Sequence, residues 1–282
     1  MPRTYLGIIT GSFSTPAADN PTVVAMEAAY RHHGLDARYL NCDIGSEELA
    51  AAVSGARAMG WAGFNCSIPH KRTVIDLIDA LAPSAEIIGA VNCVVATDDG
   101  LIGHNTDGQG FVAALTQVRT PEGAHIVVLG TGGAARAVAV ETALAGAASI
   151  TLVGREADEA STLGAYVTQA TGVPAYAKGW EGAYAVPPTA DILVNATSVG
   201  FGDPDAMVDI DVASLRPGLI AADVVVSATP TAYVRAARAA GATALDGVGM
   251  MVGQAAVNFH LWTGVEPDRD VMRAALEATL AG

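Results

Sequence analysis

The stretch that most constrains this chain is Ala124–Glu156, AHIVVLGTGGAARAVAVETALAGAASITLVGRE. His125–Leu129 is a short β-branched run, long enough for a buried strand. Gly130-Thr131-Gly132-Gly133-Ala134-Ala135 follows at once with the spacing G-x-G-x-x-A. The alanine-rich stretch from about Ala134 to Ala145 reads as a helix closed near Gly146, and Ser149–Val153 as a second apolar strand. In such a unit the glycines let the backbone turn tightly and approach a pyrophosphate. The helix N-terminus supplies free N–H groups and the positive end of its dipole. The spacing alone is weak evidence; the complete strand-turn-helix-strand context makes it a dinucleotide site rather than an ordinary glycine-rich turn.

A length of 282 residues suits two domains or one large one. The net charge of −14 argues against nucleic acid or an anionic membrane surface as a partner held by bulk charge. An anionic ligand would need a local cationic or amide-rich pocket. Cys42, Cys66 and Cys93 have no metal-type spacing and read as free thiols of a reducing cytoplasm, so no metal site is expected. The first ten residues lack a signal-peptide pattern, and no strictly apolar run is long enough for a membrane span.

Ahead of the glycine unit, strands and helices alternate. Tyr5–Thr10 reads as a strand closed by Gly11, and Asn20-Pro21 opens a helix to about His33. Ala37–Leu40 reads as a strand, Glu47–Met59 as a helix and Trp61–Cys66 as a third strand. This alternation predicts a mostly parallel sheet. Pro69 suits the first turn of a helix continuing to Leu81. Lys71 would then sit where the helix dipole disfavours a cation, which points to a role at the carboxyl end of a strand. Asp98-Asp99-Gly100 sits between two apolar runs as a hairpin turn, and a helix from about Asp107 to Val118 leads out. Beyond Val153 the pattern predicts a helix, strands near Pro174–Ala177, Ile192–Asn195 and Leu219–Val226, and a helix over Thr231–Ala240. A last long helix spans Met250–Thr263. On it Met251, Ala255, Phe259 and Trp262 form a core line, and Met250, Gln254 and Asn258 another.

Over nearly its full length the chain resembles the shikimate/quinate dehydrogenase family. The matching strings are Gly63-Phe64-Asn65-Cys66-Ser67-Ile68-Pro69-His70-Lys71, Gly89-Ala90-Val91-Asn92 and Asn105-Thr106-Asp107-Gly108-Gln109-Gly110-Phe111. The glycine turn, Asn195-Ala196-Thr197 and Gly247-Val248-Gly249-Met250-Met251-Val252-Gly253-Gln254-Ala255 complete the set. The resemblance implies two α/β domains. A discontinuous substrate domain of residues 1–112 and 246–282 would carry a mostly parallel sheet, and residues 113–245 would form a Rossmann-like NAD(P)-binding domain. It also implies reversible shikimate/3-dehydroshikimate interconversion with NADP, or NAD as the alternative, in chorismate and aromatic amino acid biosynthesis. Quinate, another cyclic polyol, or a non-catalytic cofactor-binding role are the competing readings. A homodimer is compatible with the resemblance.

By the family pattern Lys71 and Asp107 match the catalytic pair. Substrate candidates are Ser12, Ser14, Thr15, Asn65, Ser67, Asn92 and Gln254. Cofactor candidates are Gly130, Thr131, Gly132, Gly133, Ala134, Arg155, Asn195, Thr197, Val226 and Gly247. A lysine beside a carboxylate can pass the proton that ketone reduction and alcohol oxidation require. Asparagine amides both donate and accept, which suits a polyol.

Two departures fall at the carboxylate end of the substrate. The family's Ser-x-Ser or Ser-x-Thr grip after the first strand is matched ambiguously by Ser12-Phe13-Ser14-Thr15-Pro16, and Val226 stands where a substrate-contacting tyrosine is expected. The expectation is intact hydride-transfer machinery with an altered carboxylate grip. After the second strand of the glycine unit, Arg155 can pair with a 2′-phosphate. Glu156, Asp158 and Glu159 would repel one if they face it, or belong to the next helix's first turn.

Overall fold

The computed structural model describes residues 6–281. The described residues divide into two compact units, residues 6–106 with 255–280, and residues 107–254. The family resemblance implies these crossings at residues 112 and 245.

The first unit opens with β1 (Ile8–Ser14), α1 (Thr22–His32), β2 (Ala37–Asp43), α2 (Leu49–Ala58) and β3 (Gly63–Cys66). Next come β4 (Ala80–Leu81), α3 (Pro83–Ile88), β5 (Cys93–Thr97) and β6 (Gly100–His104). The sheet order is β2-β1-β3-β5-β6-β4. Strand β1 pairs in parallel with both β2 and β3, whereas β5 runs antiparallel to β3 and β6. The sheet therefore switches direction of growth at β1, and the crevice between the carboxyl ends of β1 and β3 is where such sheets place ligands. A core of Phe13, Trp61, Phe64, Val74 and Val94 packs on this sheet.

Two expectations change here. Strand β1 does not end at Thr10 but continues through Ser14, and Tyr5 lies outside the described residues. Gly11 does not close the strand; a β-carbon there would run into the Leu40 carbonyl oxygen and the Trp61 ring, so it is a close-approach glycine. The expected helix from Pro69 to Leu81 is also absent. A 3₁₀ turn over Thr73–Leu77 is followed by β4 and α3. The β-branched run Thr73-Val74-Ile75 weakens a helix there. Lys71 therefore sits in a turn, and the dipole argument for its role does not apply.

The second unit follows through α4 (Thr106–Leu115), β7 (His125–Leu129), α5 (Gly133–Leu144), β8 (Ser149–Gly154), α6 (Ala157–Thr171) and β9 (Ala175–Gly179). The chain then returns through β10 (Ile192–Asn195), β11 (Ile220–Asp223), α7 (Ala232–Ala239) and β12 (Thr243–Leu245). All neighbours are parallel in the order β12-β11-β10-β7-β8-β9. Growth reverses between β7 and β10, which is the doubly wound dinucleotide topology with its crevice at that switch. The strands read as continuous apolar runs because helices cover both faces: Ile126, Leu129, Ile150, Leu152 and Ile192 are fully buried.

Two long segments end the chain, α8 (Gly247–Thr263) and α9 (Arg269–Leu280). Within the second unit Gly110 of α4 packs against the backbone of Met250 and Gln254, and Gly253 against Gly110. Gly110 and Gly253, one from each family string, are thus explained by helix-to-helix contact. No helix among the described residues is long and apolar enough to cross a membrane.

Candidate functional site

The cavity of the second unit lies at the switch between β7 and β10. It has a volume of about 690 Å³ and is lined by Gly130, Thr131, Gly132, Arg155, Thr197 and Trp180, among others. Gly130 has φ +109°, which favours glycine, and a β-carbon there would also press on the Ala196 carbonyl. Helix α5 starts at Gly133 with no side-chain cap on its free N–H groups. Open space lies over Gly132 and Gly133, with nothing within 4 Å of an added β-carbon. An uncapped helix start, an open glycine cradle and an arginine at the rim fit the diphosphate and adenosine end of a dinucleotide.

The next strand end is held by a closed polar network. The Asn195 amide donates to Asp223 Oδ1 at 3.0 Å and to the Val199 carbonyl, and its oxygen accepts from Thr197 N and Thr197 Oγ1. Asp223 Oδ2 accepts from Thr231 at 2.6 Å, and Oδ1 also accepts from Val225 N. Burial pushes the Asp223 carboxyl above its ordinary range, against these hydrogen bonds. Asn195 is fully buried and is not among the residues lining the cavity; it shapes the turn that presents Thr197. Gly247 belongs to the same region by packing: a β-carbon would meet the Val225 carbonyl and Val226 N. Neither Val226 nor Gly247 lines the cavity.

In the first unit, the carboxyl ends of β1 and β3 bring polar side chains together. Register pairs Ser12 with Asn41 on one side and Asn65 on the other. Ser12 donates to Asn41 Oδ1 at 3.0 Å and accepts from Asn20 Nδ2 at 3.1 Å. Asn65 accepts from the Tyr39 hydroxyl at 2.8 Å and donates to the Asn92 carbonyl at 2.8 Å. Asn92 Oδ1 accepts from Thr106 N at 2.7 Å, and the Thr106 hydroxyl reaches Asn258 Oδ1. Burial pushes the Tyr39 phenol upward, so it remains a neutral donor. Burial likewise pushes the Cys66 thiol up to about 12, against a smaller opposing pull from the Lys71 charge.

The expected Ser-x-Ser grip does not match this geometry. Ser12 and Ser14 lie inside β1 rather than in the loop after it, with the Ser12 hydroxyl spent in the amide pair. Ser14 Oγ is buried without a hydrogen-bond partner among the described residues. Thr15 is exposed, Ser67 half-buried, and both lie at the two strand ends, where Thr15 N bonds the Ile68 carbonyl. Among the described residues no group of acidic, His and Cys side chains is placed to hold a metal ion.

Residues 14–94 match the family model of the shikimate dehydrogenase substrate binding domain, and residues 247–277 that of the shikimate 5′-dehydrogenase C-terminal domain. A Methanopyrus kandleri protein named shikimate dehydrogenase (NADP(+)) is 39% identical over 275 residues, covering 95% of this chain and 94% of its own. The chain belongs to the shikimate dehydrogenase family. It is an oxidoreductase acting on CH–OH. Among solved structures, ligand-free 5-ketofructose reductase of Gluconobacter sp. is 50% identical with TM-score 0.95, covering 98% of this chain and all of that one. Shikimate 5-dehydrogenase from Listeria monocytogenes, in complex with shikimate and NAD, is 31% identical with TM-score 0.88, covering 98% of each chain.

Within this family member, Asn65 and Asn92 come together through one hydrogen bond, as do the glycine turn, Arg155 and Thr197 around one cavity. The sequence reading missed Asn20, Tyr39, Asn41 and Thr106, which orient the amides and hydroxyls around them. Asn258, which the sequence marks only as a position on the last long helix, is fully buried and bonded to Thr106. Asn41 carried one usable signal: it sits one residue beyond the predicted second strand, where ligand-facing side chains gather.

Proposed function

We propose that the chain catalyses reversible, NADP-dependent interconversion of a secondary alcohol and its ketone, the reaction of shikimate dehydrogenase. The observation that carries this reading is the 39% identity to an NADP-named shikimate dehydrogenase across 95% of the chain, with Lys71 and Asp107 standing where the family strings have the catalytic pair. Bound NADP would be held by the glycine turn and Arg155, and its nicotinamide supplies or accepts the hydride. Lys71, with Asp107 as its carboxylate partner by the family pattern, gives a proton to the carbonyl oxygen in reduction and takes it back in oxidation. Asn65 and Asn92 orient substrate hydroxyls. The three free thiols fit a reducing compartment, the cytoplasm.

A second substrate reading is favoured by two observations. The 50% identical structure is named a 5-ketofructose reductase. Val226 offers no hydroxyl to an anion, and the Ser12 hydroxyl is already spent on Asn20 and Asn41. Both support a polyhydroxylated ketone without a carboxylate as the preferred substrate of the same reaction. NADPH oxidation with 5-ketofructose and with 3-dehydroshikimate separates the readings. Higher kcat/KM on 5-ketofructose, with Val226→Tyr improving only the carboxylate substrate, supports the neutral ketone. A low KM for 3-dehydroshikimate that Val226→Tyr leaves unchanged supports shikimate turnover. Activity on neither, with NADPH still bound, would sink both.

A further inference from the structure

One acidic residue stands inside the cofactor cavity with a fixed partner. Glu159, in the first turn of α6, accepts a 2.9 Å hydrogen bond from the Thr131 hydroxyl at Oε2. Thr131 belongs to the glycine turn, and both residues line the cavity. The other branch of the threonine is packed as well. Its methyl group faces Gly154, where an added β-carbon would come within 2.6 Å of Thr131 Cγ2. With the methyl packed there, the hydroxyl points to α6 and tethers the carboxylate in the cavity.

The surrounding charges make that tether consequential. Among the described residues lining the cavity, Arg155 is the cation, and Glu156, Glu159 and Asp209 are the acids. Asp158, the other acid of the α6 first turn, lines a different surface hollow with Ser161 and Thr162. The position next to Arg155 thus combines an arginine suited to a phosphate with an acid suited to a ribose hydroxyl, the two opposed solutions to recognising the adenosine ribose.

We propose that Glu159, held by Thr131, is a specificity-determining residue that penalises the 2′-phosphate of NADP and so limits the preference for NADP over NAD that Arg155 alone would set. This rests on the reading of the cavity as the dinucleotide site. A carboxylate near a phosphate monoester of charge about −2 opposes it in a way that depends on ionic strength. The same carboxylate is tolerated by a neutral ribose hydroxyl.

Titration calorimetry of the full chain with NADP⁺ and with NAD⁺, without substrate, tests the proposal. Glu159→Gln, which keeps shape and hydrogen bonding, is expected to tighten NADP⁺ by about tenfold and NAD⁺ by less than twofold. Charge pairs near a protein surface carry energies of that order. The gain should shrink as salt is raised. Thr131→Val, which frees the carboxylate to swing outward, should move NADP⁺ affinity the same way by a smaller factor. An unchanged NADP⁺/NAD⁺ ratio in Glu159→Gln, or an equal gain for both cofactors, overturns the proposal. Binding of neither cofactor by the unsubstituted chain would instead overturn the dinucleotide reading of the cavity, and the proposal with it. Unaltered thermal unfolding of Glu159→Gln shows that the effect is not one of folding.

Discussion

Two strand-end crevices in this molecule solve the same positional problem by different means. At β7 and β10 the site is made chiefly of backbone: a glycine turn with open space above it and an uncapped helix start. At β1 and β3 it is made chiefly of side chains: Ser12, Asn20 and Asn41 hold one another, and Asn65 is held by Tyr39 and the Asn92 carbonyl. Both lie where a sheet reverses its direction of growth. The difference follows from what each must recognise. A phosphate is satisfied by any converging N–H groups, which the backbone carries everywhere. A polyol needs donors and acceptors in a set order, which only chosen side chains provide.

The sharpest way to break this division is Lys71→Ala. Under the proposed roles it lowers kcat by about 10²–10⁴-fold, the usual contribution of a positioned proton-transfer group. Calorimetric NADPH affinity should stay as it is, because the glycine cradle lies in the other unit. A comparable loss of NADPH affinity would show that the two crevices do not act separately.

A pair of glycine substitutions sharpens the contrast. Gly63, in β3, has the Trp262 indole and the Val94 carbonyl where a β-carbon would stand. Trp262 Nε1 donates to that same carbonyl at 3.0 Å. Gly63→Ala should destabilise the fold by about 1–3 kcal/mol, the usual range for overpacking. Gly132→Ala meets nothing within 4 Å and has a φ of −75°. It should change stability by less than about 0.5 kcal/mol while weakening dinucleotide binding, because the methyl enters the cradle. Urea midpoints and calorimetry on the two variants check this. Equal destabilisation would deny that the second glycine is there for a ligand.

The smallest effect concerns pH. Burial holds the His104 imidazole below its ordinary 6.5 at the end of β6. Above that value both folded and unfolded chains carry it neutral. Below it the unfolded chain binds a proton that the folded chain resists, so stability falls as pH drops through and below 6.5. For one proton the slope is less than about 1.4 kcal/mol per pH unit. His104→Gln should flatten that part of the curve, as measured by urea midpoints at several pH values. An unchanged slope would show that other groups set it.

The second unit was legible because its determinants are local. The glycine spacing, the alanine-rich helix and the β-branched strands all fall within Ala124–Glu156, and each acts through its own backbone. Asn65 and Asn92 are legible only as parts of family strings, and Lys71 also from its place beyond the end of a strand. Even so, the turn around Lys71 was misread as a helix, because a proline and an apolar run cannot distinguish a 3₁₀ turn and a two-residue strand from one helix. The length of β1 was misjudged for a related reason. Gly11 looks like a terminator until Leu40 and Trp61 are seen pressing on it.

By itself the sequence determined the alternation of strands and helices, the dinucleotide cradle and the family, since these rest on short-range spacing and on strings that survive in one dimension. Only the tertiary structure decided that the Ser12 hydroxyl is spent between Asn20 and Asn41, that Asn195 ties its turn to Asp223, and that Glu159 is tied to Thr131. Each of those depends on strand register or on a helix start brought beside a turn. A hydrogen bond between residues 28 or 29 positions apart leaves no periodicity in the chain that could announce it.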